Sequence, residues 1–458
     1  MSIPSEPICA QITPPGTGAI SVVRISGSGS IGIVAQFFQP RAKLLNAATH
    51  TALFGSFHSQ DGQMLDQVLC TVFRSPHSYT GDDSVEISSH GNPRLVSRIL
   101  ENLLSEARLA KPGEFTLRAL LNGKLDLTQA EAVNDLISAQ GSKAESAALM
   151  QIQGLLSLQL RELLDEITQA RIRCELAIDF ADQDLPQIDT VDLRHRLEAC
   201  LSKAREFQSD GNRGRYIRDG LRVCLAGAPN SGKSSLFNAF LKSNRAIVTP
   251  HPGTTRDYLE ESVSLEGYQL VLYDTAGLRD TSEDVERKGI DRSMELMRGA
   301  DLILYLLPVN MASQANDEEN VPQELRYKTL WLASKADLAE TADPNETAPD
   351  GFSPERRIPV SAVAQNGLQT LQKAILDYFS LPRERLERPL ITNARQLAAL
   401  NRSVASLEKA LEALTNEIGF EFVAFDLIAA SKALEEILGI VTADDLLEKI
   451  FSSFCIGK

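Results

Sequence analysis

The sequence predicts a multidomain chain of mixed class: an α/β domain at the N-terminus, a helical bundle domain, and a second α/β domain inserted in the helical one. Three observations carry this reading. Short β-rich runs with Gly and Pro turns fill the first segment, Leu and Ile recur at helical spacing on both sides of the centre, and a glycine-rich loop between an apolar strand and a helix occupies the centre itself. At 458 residues, 43% of them hydrophobic, the chain has material for about three domains with real cores. The expected boundaries are 1–123, 124–218, 219–384 and 385–458, the second and fourth segments forming one helical domain.

Taken in order, the first segment offers strands over Ala19 to Ile25, Asp66 to Phe73 and Ser84 to Ser88, then an amphipathic helix from Arg94 to Ala107. Arg24, Glu86, His90 and Lys124 are the charged and polar residues placed at its turns, and the residues alone do not name a ligand. From Asp126 to Ala181 the pattern is one long helical stretch, opened by a capping box at Thr128-Gln-Ala-Glu131. It breaks at the acidic, proline-containing Asp182 to Asp189 and resumes over Val191 to Gln208. A Gly/Arg-rich linker, Gly211 to Gly220, follows. Helices return over Asn393 to Asn416, Glu421 to Leu438 and Ala443 to Phe451. Packing of the two helical blocks on each other is the economical arrangement.

The central loop reads Gly227-Ala-Pro-Asn-Ser-Gly-Lys-Ser234, between the strand Leu221 to Ala226 and the helix Ser235 to Leu241. Its glycines let successive N–H groups turn toward a phosphate, with Asn230, Ser231, Gly232 and Ser235 lining the same loop. Lys233 adds a point charge, and the Ser234 hydroxyl can hold Mg²⁺. Thr254-Thr255-Arg256-Asp257 supplies a threonine for Mg²⁺ and the γ-phosphate. Asp274-Thr-Ala-Gly277 puts a carboxylate near the metal and the Gly277 N–H near that phosphate. Ser334-Lys335-Ala336-Asp337 places an aspartate to accept both N1–H and N2–H₂ of guanine, a donor pair adenine lacks, and Ser361-Ala362 closes over the base. Together these elements specify a GTP-binding α/β domain of Ras-like class.

Residue 278 is Leu where many GTPases use glutamine to orient the attacking water. Glu286 and Glu283 are candidates for that role, and Arg279, Arg287 or Arg256 for charge neutralisation. The Asn230 amide oxygen is suited to a monovalent cation standing where an arginine finger would sit.

A formal net charge of −15 opposes nonspecific attraction to polyanions, so a nucleic-acid partner needs a local basic patch. Arg213, Arg215, Arg218 and Arg222 form one candidate, against the plainer reading of solvated linker arginines. Six scattered cysteines (Cys9, Cys70, Cys174, Cys200, Cys224, Cys455) without a C-x-x-C pair argue against zinc and against a disulfide framework. No apolar run approaches the ~18 residues of a membrane span and no signal-like segment opens the chain, so a cytoplasmic location is expected.

Four stretches carry a resemblance to the MnmE (TrmE) family of tRNA-modification GTPases. They are Thr13-Pro-Pro-Gly16 with Val23-Arg-Ile-Ser-Gly27; Lys111-Pro-Gly-Glu-Phe-Thr-Leu-Arg118 with Asn122-Gly-Lys-Leu-Asp126; the nucleotide motifs; and the terminal Cys455-Ile-Gly-Lys458. The resemblance spans the chain. It implies an N-terminal domain that dimerises and binds 5-formyl-tetrahydrofolate or another tetrahydrofolate derivative through Arg24, Glu86 and Lys124, with Lys458 from the tail. It implies a homodimer that joins the FAD-bearing flavoprotein MnmG (GidA) in a heterotetramer. That assembly installs a carboxymethylaminomethyl or aminomethyl group at C5 of the wobble uridine, position 34, of certain tRNAs. It also implies K⁺-dependent pairing of G domains, with Asn230, Thr249, His251 through its backbone, and Thr254 as cation ligands. Ser234 and Thr255 carry over as Mg²⁺ ligands and Glu286 as the water-orienting acid. Cys455 sits in a tail with few apolar neighbours, so a chemical role near the folate site is expected for it.

Two departures stand out. Ser334 replaces the usual Asn of the guanine motif, and its short side chain is expected neither to reach base N7 nor to brace the phosphate loop. Thr17 stands where a basic residue is frequent, which changes the folate-side turn. The rival reading is an RNA-binding ribosome-assembly GTPase without covalent chemistry, which shares the nucleotide motifs but carries a compact basic RNA module that is absent here.

Overall fold

The protein is described by a computed structural model over residues 6–179, 189–243, 259–274, 292–309, 321–338, 357–364, 366–381, 386, 388–441 and 444–458. It divides into two compact units: Met1–Asn134 with Gln151–Leu201 and Arg402–Lys458, and Asp135–Met150 with Ser202–Asn401.

The first unit holds a sheet of β1 (Ile8–Gln11), β2 (Gly18–Ser26), β3 (Phe38–Gln39), β4 (Thr51–His58), β5 (Met64–Phe73), β6 (Ser84–Gly91) and β7 (Arg108–Leu109), ordered β3-β4-β5-β6-β2-β1-β7. Neighbours run antiparallel except β1 and β7. Side chains alternate across the pleat. Val23, Ile25, Val85 and Ile87 are buried in one core with residues of α1 (Ser30–Phe37) and α3 (Pro93–Leu103). Arg24 and Glu86, the residues between them, therefore point to the opposite face, where they are direct cross-strand partners. This corrects the placement of Arg24, Glu86 and His90 at turns: all three lie within β2 or β6. The α3 helix starts where Asn92 accepts hydrogen bonds from the Arg94 and Leu95 N–H groups with Pro93 at the first position. It stops at Leu103, short of Ala107, because Arg108 and Leu109 pair with β1. Two further short helices, α2 (Arg41–Leu45) and α4 (Glu114–Leu121), complete the α/β part.

The expected single stretch after Asp126 is three helices, α5 (Leu127–Ser138), α6 (Ser142–Ile152) and α7 (Leu155–Asp179), the last break falling at Gly154 with φ 78°. The capping box also sits two residues earlier than expected. Asp126 Oδ1 accepts from the Gln129 N–H at 3.0 Å while Gln129 Oε1 accepts from the Asp126 N–H at 2.9 Å. Thr128 instead shares a buried hydroxyl contact with Ser157 at 2.6 Å. Leu156, Leu160, Leu163 and Ile167 make the buried stripe of α7, which packs on α13 (Phe420–Leu438), so helical segments from either side of the central domain do meet. The last helix, α14 (Asp444–Ser452), packs on α4.

The segment expected as a linker is helical. α8 (Thr190–Asp219) runs unbroken through Gly211 and Gly214. A Cβ at Gly214 would lie 1.9 Å from the Ile391 carbonyl oxygen, and one at Gly211 2.7 Å from Leu397 Cδ1. These glycines serve close packing against the segment that leads into α12 (Ala394–Thr415), not flexibility. The neighbouring arginines are engaged as well. Arg218 pairs with Asp135 at 3.0 Å, and Arg215 lies over the Tyr216 ring and 3.4 Å from Asp301.

The second unit holds the sheet β13-β12-β11-β8-β10-β9, made of β8 (Leu221–Gly227), β9 (Leu259–Leu265), β10 (Tyr268–Asp274), β11 (Leu302–Pro308), β12 (Thr329–Ser334) and β13 (Arg357–Val360). It is parallel apart from β9. Its central strands read as unbroken apolar runs because both faces are covered. α9 (Lys233–Ser243) and α11 (Leu368–Tyr378) cover one face through Leu236, Phe240, Leu371 and Ile375. Helical residues 292–299 (α10) cover the other through Met297, against Ile303, Tyr305 and Trp331. Gly227, Asp274 and Ser334 all fall at carboxyl ends of parallel strands, where ligands of open α/β sheets bind.

Candidate functional site

The phosphate loop owes its shape to three positive φ values. Gly227 (139°) and Gly232 (100°) tolerate them, and Asn230 (57°) is the non-glycine residue type that does so best. Gly227 is doubly constrained, since a Cβ there would sit 2.5 Å from the Leu306 carbonyl oxygen of β11. Lys233 is buried, and its Nζ donates to the Gly227 and Ala228 carbonyls at 2.8 Å each, which holds the ammonium inside the loop. The Ser234 hydroxyl donates to Asp274 Oδ2 at 3.2 Å. A hydroxyl and a carboxylate meeting at the mouth of an N–H-rich loop are the hard oxygen donors that a Mg²⁺ ion beside phosphates requires, so these residues fit the metal. Behind them, burial pushes the Cys224 thiol up to about 12, which makes it a packing group and not a nucleophile.

At the base end, Ser361 donates to Asp337 Oδ1 at 2.6 Å and itself accepts the Ala364 N–H at 3.0 Å. The carboxylate that would read guanine is thereby aimed, with Lys335 (φ 57°) and Ala362 on either side of the pair. Ser334 reaches the loop despite its length. Its hydroxyl donates to the Ser231 carbonyl across 103 positions of sequence at 2.7 Å, so it braces the phosphate loop, and that part of the expectation is corrected. Direct approach of β12 to the loop removes the need for a longer side chain. Thr249, His251, Thr254, Thr255, Gly277, Leu278 and Glu286, with Glu283, Arg256, Arg279 and Arg287, lie outside the described residues.

A second cluster forms on the N-terminal sheet. Arg24 Nε and Nη2 donate to Glu86 Oε1 at 3.0 and 2.7 Å, with side chains 14% and 26% exposed. The guanidinium lies 5.2 Å from the Tyr79 ring centroid and 5.4 Å from that of Phe115. Tyr79 is fixed in turn by a 2.9 Å hydroxyl contact with Thr116. The Phe115 N–H donates to the Lys458 carbonyl at 3.0 Å, and the Gly113 N–H to the Cys455 carbonyl at 3.3 Å, so the C-terminal tail lies along the start of α4. Gly457 (φ 97°) permits this: a Cβ would fall 2.5 Å from the Gln11 carbonyl oxygen. Cys455 is exposed, the other five thiols buried. Lys124 is tied elsewhere, its Nζ donating to the Pro76 carbonyl at 2.9 Å. Arg24, Glu86 and the tail thus converge through Phe115, whereas among the described residues no hydrogen bond or ion pair joins Lys124 to Arg24 or Glu86. A donor and acceptor edge on an aromatic bed suits the flat, hydrogen-bonding ring of a folate. Sequence reading missed Tyr79 and the role of Phe115, and the only local signal was Phe115 inside the Lys111 to Arg118 stretch.

Below the cluster, Glu114 is buried. Burial pushes its carboxyl up, but hydrogen bonds from Arg108 and the Lys111 N–H, with the charges of Arg108 and Arg118, outweigh this and bring it down to about 2. No helix among the described residues is long and apolar enough to cross a membrane.

Comparison with known proteins places the chain in a family along its whole length. The profile described as GTP-binding protein TrmE N-terminus matches residues 7–124, and that described as MnmE helical domain matches residues 127–455. The tRNA modification GTPase MnmE of Aquifex aeolicus is 40% identical over 458 residues, covering 99% of this chain and 100% of that protein. Its namesake in Moorella thermoacetica is 40% identical over 465 residues, covering 99% of each. The Enterococcus faecalis protein of the same name is 37% identical over 458 residues, covering 99% of this chain and 98% of that one. Among solved structures, Aquifex aeolicus Era bound to GDP and aluminium fluoride covers 40% of this chain and 65% of its own at 26% identity and a TM-score of 0.27. With relatives of that identity along its whole length and both profiles matched, the chain belongs to the MnmE family of tRNA modification GTPases.

Proposed function

We propose that this chain is a K⁺-dependent GTP hydrolase that acts with the flavoprotein MnmG (GidA) on tRNA. Together they install a carboxymethylaminomethyl or aminomethyl group at C5 of the wobble uridine, a tetrahydrofolate one-carbon unit supplying the carbon bonded to C5 and a small amine, glycine or ammonia respectively, supplying the rest of the group. The observation that carries the reading is the contact of the tail with α4. It gathers Cys455, Lys458, Arg24 and Glu86 in one unit of a chain that also carries a complete phosphate loop.

In the G domain, Lys233 would exchange its loop carbonyls for β- and γ-phosphate oxygens, while Ser234 and Thr255 would hold Mg²⁺ with the Asp274 carboxylate beside it. Asp337, aimed by Ser361, accepts the guanine N–H edge. Glu286 orients the attacking water in place of the missing glutamine, and Asn230, Thr249, His251 and Thr254 ligate K⁺ as two G domains of the homodimer pair. In the N-terminal domain, Arg24, Glu86, Lys124 and Lys458 bind and orient the folate, which supplies the carbon. FAD on the partner supplies the redox chemistry, and the assembly works in the cytoplasm as a heterotetramer.

The test is reconstitution with the FAD-loaded flavoprotein kept reduced, hypomodified tRNA, GTP, glycine and 5-formyl-tetrahydrofolate, with nucleoside mass spectrometry as readout. Modified uridine is expected in K⁺, with loss on exchange for Na⁺ and on Glu286→Ala. The variant slows GTP turnover ~10²-fold, the scale of one positioned acid–base group, at unchanged nucleotide affinity. Normal turnover in both arms would overturn the hydrolytic assignment, and modified uridine formed without folate would overturn the carbon source.

A further inference from the structure

Arg24 commits two of its nitrogens, Nε and Nη2, to a single oxygen of Glu86. Among the described residues Arg24 Nη1 and Glu86 Oε2 make no hydrogen bond, so the pair keeps both Nη1 N–H donors and one carboxylate oxygen for a ligand. Two backbone strands alone would not fix that edge. The long arginine side chain retains rotameric freedom, and a carboxylate bonded through one oxygen can pivot about it. What removes the freedom is aromatic. The Tyr79 and Phe115 rings both lie within cation–π distance of the guanidinium, at 5.2 and 5.4 Å. Both rings belong to one small core, Phe115 buried among Ile8, Ala10 and Ala110 and Tyr79 packed against that cluster, and the Tyr79 ring is further oriented through its hydroxyl on Thr116.

We propose that Tyr79 is a positioning residue of the folate site, its ring holding the Arg24 guanidinium so that Arg24 Nη1 and Glu86 Oε2 meet the ligand as one fixed donor and acceptor edge. The assignment rests on the folate reading given above. The ring does the holding and the hydroxyl only orients the ring, so phenylalanine substitutes for Tyr79 and an aliphatic side chain does not. Tyr79 need not touch the ligand.

The experiment is calorimetric titration of 5-formyl-tetrahydrofolate into the full chain carrying Tyr79, Tyr79→Phe or Tyr79→Leu, with GTP turnover measured on the same samples. Tyr79→Leu is expected to weaken binding about tenfold at unchanged stoichiometry, and Tyr79→Phe to stay within about twofold. Partial misfolding has a different signature, a lower stoichiometry at unchanged Kd, and that result from Tyr79→Leu would overturn the proposal. So would tight binding by Tyr79→Leu, and so would equal losses in both variants, which would make the hydroxyl a ligand contact. Absence of binding by the unsubstituted chain would overturn the folate reading itself, a result distinct from any of these.

Discussion

Replacing Ser334 by alanine tests how β12 controls the nucleotide loop. The Ser334 hydroxyl is buried, and its 2.7 Å bond to the Ser231 carbonyl runs from the end of one strand to the loop that follows another. A neutral buried bond of this kind is worth about 1 kcal/mol net, and leaving the carbonyl unsatisfied costs about 1–3 kcal/mol. In the empty protein the loop can relax and turn that carbonyl toward water. With phosphates seated, the N–H groups of Gly232, Lys233 and Ser234 hold the loop in place and the orphaned carbonyl must be borne. The penalty therefore falls on the bound state, and we expect Ser334→Ala to lose about 1.5 kcal/mol of GDP binding, roughly tenfold in Kd. Displacement of a fluorescent GDP analogue in a stopped-flow instrument gives both rates, with the change expected in dissociation. A serine hydroxyl has one proton and an amide has two. Ser334→Asn can therefore keep the brace and add a donor toward the base, tightening GDP by about 1 kcal/mol. A Kd within twofold of the parent for Ser334→Ala would show that the loop keeps its shape without β12, and the reasoning would fail.

Two further outcomes follow from the N-terminal unit. Gly457→Ala places a Cβ 2.5 Å from the Gln11 carbonyl oxygen at a φ of 97°, so the tail should lift from α4. The Phe115 amide should then exchange its hydrogen faster while GTP turnover stays within about twofold, and unchanged Phe115 protection would refute the latch. Glu114 is held at about 2, below an unfolded value of about 4.3, so its contribution is complete above the unfolded value and lost as pH falls toward 2. Urea unfolding of the parent should lose about 2 kcal/mol between pH 6 and pH 3 relative to Glu114→Gln, and parallel pH profiles would remove the ion-pair account.

What the sequence determined by itself is local. The eight residues from Gly227 to Ser234 specify their own backbone, because the glycines and Asn230 tolerate the positive φ values the turn demands, and the flanking apolar runs have no other place than a doubly covered sheet. Strands such as β5 and helices such as α12 are legible for the same reason, their period matching one buried face. The tertiary structure decided whatever joins distant positions. Arg24 meets Glu86 across 62 residues only because β2 pairs with β6 in that register, and a slip of either strand by one residue would turn its member of the pair into the core. Gly211 and Gly214 read as linker residues, yet the Ile391 carbonyl and the Leu397 side chain come so close that glycine is the residue a helix must use there. Ser334 is too short to brace a distant loop, and it does so because the strand that carries it ends against that loop. In each case the composition is local information, and the partner that gives it meaning arrives through packing.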